Sequence, residues 1–263
     1  MDEVVARSWN DLTDALYEGS WDDAIGRRRS RFAFRGSATA AGDLRTSLAR
    51  LGGRSGTLER SLYRNFRKYA QRHDVPRDSL WNWLSLAQHH GLPTRLLDWT
   101  FSPLVASHFA TENTARFDED GVVWCANYVQ AHAHLPDGLR KQLEEEGSDV
   151  FTVEMLDGLS GTLAEFDALA EDEPFVAFFE PPSFDERIVN QWALFAVMSD
   201  AQGRIDDWLE RRPDVTFRRV VIPSDLKWEV RDRLDQAGIT ERVLFPGLDG
   251  VTRWLTRYYR QRD

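Results

Sequence analysis

A helix stop and a helix start lie so close together in this chain that the segment between them has almost no freedom. From Ser79 to His90 the spacing of Leu80, Trp83, Leu84 and Ala87 predicts an amphipathic helix, and Gly91-Leu92-Pro93 ends it. Ser102-Pro103 then opens another helix through Leu104, Val105, Ala106 and Phe109. Pro103 lacks an amide proton that a first helical turn does not need, and Ser102 can cap that turn. The join Thr94-Arg95-Leu96-Leu97-Asp98-Trp99-Thr100 can therefore hold its polar groups rigidly.

The flanking sequence supplies the rest of a core. Phe32-Ala33-Phe34-Arg35-Gly36 reads as a short strand running into a turn, with Arg35 near its end. Further strands are expected over 121–129, 175–179 and 217–222, and a turn followed by a strand over 187–197, with Gln191 the polar exception in that apolar strand. Helices are expected over 57–70 and 226–238, and before residue 31, where Val4, Val5, Trp9, Leu12 and Leu16 are spaced for one packed face. This order lacks the regular strand-helix alternation of a doubly wound sheet. It predicts an α+β fold, a single mixed domain with a central, largely antiparallel sheet flanked by helices. We divide the chain into an N-terminal helical cover over 1–30, the mixed domain over 31–255 with a polar excursion near 130–174, and a tail over 256–263.

Several function classes drop out on composition. Cys125 is the only cysteine, so no intrachain disulfide can form and a reducing compartment is the simpler home. The net charge of −10 gives no general phosphate-coating surface, although a local anion site is still open to it. We expect no secretory signal, no membrane span and a cytoplasmic protein. Walker, Gly-x-Gly-x-x-Gly and Gly-x-Ser-x-Gly patterns are missing, and the histidines have no metal-ligand spacing, so no metal is expected.

The remaining polar groups allow two readings each. Arg35 can grip a phosphate or carboxylate bidentately, with Gly36 allowing a sharp turn or close ligand approach, or it can form a structural salt bridge to Asp98 or Glu180. Gln88, His89, His90, Thr94 and Arg95 crowd donors and acceptors beside the helix stop. The histidines there can act as acid or base near neutral pH, or as hydrogen-bonded structural groups. Asp98 can orient Arg35 or Arg95, or accept an amide at the following helix start. Gln191 can bond a ligand or meet a local backbone need.

Phe34-Arg35-Gly36, the block from Trp83 to Ala110 (WLSLAQHHGLPTRLLDWTFSPLVASHFA), the later QWALF at 191–195 and GITERVLFPGLDGV at 238–251 resemble the FRG domain, a family of bacterial and phage proteins named for its Phe-Arg-Gly signature. A second resemblance is to ADP-ribosyltransferases. These place an arginine or histidine near the end of an early strand, a serine or threonine on a second strand leading to a helix, and a glutamate on a later strand. Arg35, then Thr100 or Ser102, then Gln191 stand at those places, with Gln191 where the glutamate is expected. The resemblance implies an ADP-ribosyltransferase-like fold and NAD as a substrate. It implies Arg35, Thr100 and Gln191 as catalytic positions, and Arg35, Gly36, Gln88, His89, Thr94, Arg95, Asp98, Thr100 and Ser102 as the nucleotide-binding set. Because Gln191 carries no charge, Asp98, Glu180 or Glu186 would have to supply the carboxylate. The implied function is ADP-ribosyl transfer or NAD hydrolysis, in a toxin or defence effector, with a protein or nucleic acid as acceptor. The alternatives are a non-catalytic nucleotide or ligand recognition module and a protein-interaction scaffold.

Overall fold

A computed structural model gives the fold and describes residues 1–53, 55–71 and 74–261, without the side chain of Ser55. The strands are β1 (Asp2–Val5), β2 (Trp21–Asp22), β3 (Arg27–Arg28), β4 (Phe32–Ser37), β5 (Leu96–Thr100), β6 (Gly121–Asn127), β7 (Phe151–Thr152), β8 (Val176–Glu180), β9 (Ala193–Met198) and β10 (Phe217–Ile222). All but the β2–β3 hairpin belong to one eight-stranded sheet in the order β1-β10-β6-β4-β5-β9-β8-β7. The five inner pairings are antiparallel, and only the edge strands β1 and β7 pair in parallel. The fold is thus mixed α and β, with a large, mostly antiparallel sheet flanked by helices.

Alternating side chains give the sheet two apolar faces. On one face Phe32 and Phe34 of β4, Val123 and Cys125 of β6 and Val220 and Ile222 of β10 pack against the helices Trp9–Tyr17, Pro103–Ala110 and Lys227–Gln236. Farther along the sheet, Leu96 of β5, Phe195 and Val197 of β9 and Phe179 of β8 pack against the helix Leu80–His89 and against Phe166. Ala33, Trp99, Trp124, Phe178 and Leu194 point the other way and close over Trp208 and Leu209.

Two local expectations are corrected and one is filled in. The helical reading before residue 31 holds for Trp9–Tyr17, but Asp2–Val5 is an edge strand: Val4 and Val5 alternate along β10 and do not follow a helical stripe. The join 94–100 contains a full inner strand, Leu96–Thr100, paired with β9 along its whole length. Gln191 does not lie in a strand. It caps the helix Glu186–Asn190, and β9 begins only at Ala193. Of the proposed C-terminal tail, residues 262 and 263 lie outside the described residues. No described helix is long and apolar enough to cross a membrane.

Candidate functional site

The sheet has one weak seam. β4 runs alongside β6 for six residue pairs but meets β5 only at Phe34 opposite Thr100, and the two strands then separate. Arg35 fills the gap with its side chain: Nη1 donates to the Asp98 carbonyl at 2.6 Å, an acceptor that a continued ladder would have used. The helical layers part here too. Gln88 and His89 border the opening from the helix Leu80–His89, and Phe109 borders it from the helix Pro103–Ala110. The result is a cleft of about 840 Å³, within the usual size of small-molecule sites.

Gly36 explains how the second helix comes so close. A Cβ at this position would lie 1.9 Å from the Ala106 carbonyl oxygen and 2.6 Å from the Ala110 nitrogen, so its missing side chain admits helix backbone. The closeness read into this glycine from sequence is therefore taken up by the protein itself. Ser102 also works locally, accepting from the Val105 amide at 3.3 Å as the helix cap, and it does not line the cleft.

The cleft brings together Arg35, Gly36, Gln88, His89, Asp98, Thr100 and Gln191. Asp98 is exposed, and its Oδ2 is 3.9 Å from Arg35 and accepts from Gln88 Nε2 at 2.9 Å. Gln88 Oε1 in turn accepts from the buried Thr94 hydroxyl, so Thr94 orients the amide from behind. Burial lowers the pKa of the Arg35 guanidinium from its ordinary value, with Asp98 opposing. Thr100 Oγ1 donates to the Gln191 carbonyl at 2.7 Å, tying β5 to the turn that leads into β9. Gln191 Nε2 donates to the Leu244 carbonyl at 2.9 Å. The next residue, Trp192, has a φ of 49°, a left-handed backbone that strains a bulky side chain by about 1–3 kcal/mol. Its carbonyl accepts from the Phe101 amide at 3.0 Å, which holds that turn in place.

Arg95 is elsewhere. It is buried, its Nε and Nη2 chelate Glu59 at 2.7–3.0 Å, and Nη1 also bonds Asp167. Its donors are consumed within the fold, and neither it nor Thr94 lines the cleft. Glu180 and Glu186, two of the carboxylates considered above, do not line it either.

Sequence reasoning missed two of the cleft's charged groups, Glu112 and Arg187, and the Asp185 carboxylate that bonds the cleft residue His89. Glu112 stands two residues beyond the helix Pro103–Ala110 with its side chain 42% exposed, and partial desolvation raises its carboxyl pKa against the pull of Arg231 and Arg253. Asp185 accepts or shares a proton with His89 Nε2 at 2.9 Å. Burial lowers the His89 pKa, with Asp185 opposing. Arg187 also lines the cleft, with its guanidinium 5.2 Å from the centroid of the Phe245 ring and its Nε buried without a partner. The available signal for Glu112 was a carboxylate two residues after the largely apolar segment Leu104 to Ala110. For Arg187 it was a cation at the start of the 187–197 segment.

An α+β scaffold with a polar, ligand-sized cleft at a sheet seam is the class that fold and site define. Residues 30–119 match the FRG domain family, and that span carries Arg35, Gly36, Gln88, His89, Asp98, Thr100 and Glu112. No curated protein and no solved structure matches the chain.

Proposed function

We propose that the seam cleft takes NAD as its substrate and breaks the bond between nicotinamide and ribose, by ADP-ribosyl transfer or by hydrolysis. The observation that supports this reading most is convergence. Arg35, Thr100 and Gln191, which the resemblance assigns to an early, a second and a late element, come from separate parts of the chain and border one cleft, two of them joined by a hydrogen bond. On this reading Arg35 grips the pyrophosphate, aided by Arg187, because a planar guanidinium matches phosphate oxygens bidentately. Thr100 and Gln191 orient the ribose next to nicotinamide.

The chemistry needs negative charge near the ribose. As the bond from its anomeric carbon to nicotinamide breaks, nicotinamide leaves with the electron pair and the sugar becomes cationic, a charge that a placed carboxylate stabilises. Gln191 cannot supply it. Glu112 and Asp98 are the aspartate or glutamate side chains that line the cleft, and Glu112 has the raised pKa suited to accepting a proton from the attacking water or acceptor. An NAD-consuming or acceptor-modifying activity in the cytoplasm would suit a bacterial toxin or phage-defence effector.

The test incubates the protein with NAD labelled in the ADP-ribose moiety, with and without cell extract, and follows nicotinamide release and label on macromolecules. Wild type should release nicotinamide, while folded Arg35→Lys and Glu112→Gln variants should lose at least tenfold. Saturable NAD binding with no release would assign the cleft to recognition without catalysis. Neither binding nor release would remove NAD altogether.

A further inference from the structure

A second cleft, of about 480 Å³, opens between the segment 112–114 and the helix Leu248–Tyr258. The two clefts share Glu112 and Asn113 in their walls and so abut at the carboxylate that the proposed chemistry uses. We infer that this second cleft is the acceptor site of that reaction and that it takes a single strand of nucleic acid. The inference rests on the NAD reading of the first cleft for its catalytic meaning, but its binding content stands on the surface itself.

Only one of the cationic groups here is used up by the fold among the described residues. It is Arg257, which bonds Asp235 and Glu241 at 2.6–2.9 Å, and Glu241 is occupied by Arg257 and Arg231. Arg253 and Arg260, by contrast, form no ion pair among the described residues. The Arg260 guanidinium donates to the Thr114 hydroxyl at 2.9 Å, and Arg253 lies over the Phe245 ring, 5.2 Å from its centroid. Arg187 of the first cleft lies at the same 5.2 Å from that ring, so Phe245 links a cation in one cleft to a cation in the other. Phosphates spaced along a strand would meet this row, whereas a single small anion would use only part of it.

Aromatic side chains accompany the cations. Tyr259 is 77% exposed at the C-terminal cap of this helix, directly before Arg260 of the cleft wall. Tyr258, 56% exposed, packs edge-on against it at 5.4 Å between centroids. Exposed rings interleaved with unpaired arginines are what an unpaired strand needs, since bases stack on the rings while guanidinium groups follow the backbone. A double helix would hide those base faces. An acidic peptide would satisfy the arginines but leave the tyrosines unused. The overall charge of −10 gives no general attraction for nucleic acid, so binding has to come from local cations such as these. During transfer, a nitrogen or oxygen of the strand would form the new bond to the anomeric carbon as nicotinamide leaves, and its proton would pass to Glu112.

Fluorescence anisotropy of the full chain with labelled single-stranded DNA and RNA oligonucleotides, without NAD, tests the binding. We expect salt-dependent binding that Arg253→Glu with Arg260→Glu weakens tenfold or more. Loss of two phosphate contacts should also flatten the slope of log affinity against log salt by about 1.4, at roughly 0.7 per contact on a single strand. Tyr259→Ala should weaken binding by at least about fivefold, the lower end for loss of one stacked base. Thermal unfolding would show that these surface variants stay folded. Absence of oligonucleotide binding, indifference to the double arginine change, or equal binding of a polyglutamate peptide would overturn the inference. Because no NAD is present, failure of the NAD reading is read separately, in the nicotinamide assay. Label passing from NAD to the oligonucleotide would join the two.

Discussion

Arg35 and Arg95 lie on either side of the same seam, and the protein uses them in opposite ways. Arg95 is buried with Glu59, both side chains 3% exposed, and Asp167 completes its pairing. Arg35 has one backbone acceptor at 2.6 Å and one carboxylate oxygen no closer than 3.9 Å, and it faces a cleft. A buried charge must be paired within the fold, so a guanidinium surrounded by its own carboxylates has nothing left for a ligand. The difference teaches where to look for binding: at the cations whose pairing is incomplete and which border open space. Arg187 and Arg253 belong with Arg35 in this respect, and Arg231 and Arg257 belong with Arg95.

The sharpest way to break the comparison is to remove Arg95. Arg95→Ala leaves Glu59 buried and unpaired, and the expected loss is about 3–5 kcal/mol in urea unfolding. A loss under about 1 kcal/mol would mean that Arg95 is no more structural than Arg35. Gly36→Ala should come next. Overpacking alone is worth about 1–3 kcal/mol, and here the new methyl meets helix backbone that cannot rotate away, so the loss should reach the top of that range. A variant as stable as wild type would show that the helix Pro103–Ala110 is free to slide along β4.

A gradual effect, modest per pH unit, is expected at two buried histidines. Burial holds His108 at a pKa of about 3 and His132 at about 4, below their ordinary 6.5. The unfolded chain therefore binds protons that the folded chain refuses. Stability is full above pH 6.5 and falls as pH drops from 6.5 towards 4, by up to about 1.4 kcal/mol per pH unit for each histidine. Urea unfolding across that window measures the slope, and a flat profile between pH 4.5 and 6.5 would contradict it. Arg35→Lys should change stability least, by less than about 1 kcal/mol, because one exposed-side hydrogen bond is all the fold loses. The same substitution should weaken NAD binding tenfold or more.

Much of the architecture can be read from the sequence because local chemistry decides it. The Ser102 cap with Pro103 behind it, the stop at Gly91-Leu92-Pro93 and the apolar strand from Gly121 each carry their own signal. Arg35 stood out because a charge interrupted an apolar strand. Other features depend on distant partners. Asp2–Val5 is a strand only because β10 offers it an edge. Arg95 has the same local surroundings as Asp98, and its removal from the cleft depends on Glu59 and Asp167, far away in the chain. Glu112 and Arg187 enter the cleft through the path of loops and short helices, which periodicity does not report. Gln191 was placed one element too late, since the strand that follows it begins two residues on.

The central claim is that the separation of β4 from β5 makes an NAD site gripped by Arg35. Equilibrium dialysis of NAD against wild type, Arg35→Lys and Arg95→Lys, each checked for folding, tests it most directly. The account predicts saturable binding to wild type at cellular NAD concentration, tenfold or greater weakening in Arg35→Lys, and near wild-type affinity in whatever fraction of Arg95→Lys remains folded. No binding to wild type, or equal binding to wild type and Arg35→Lys, would contradict it.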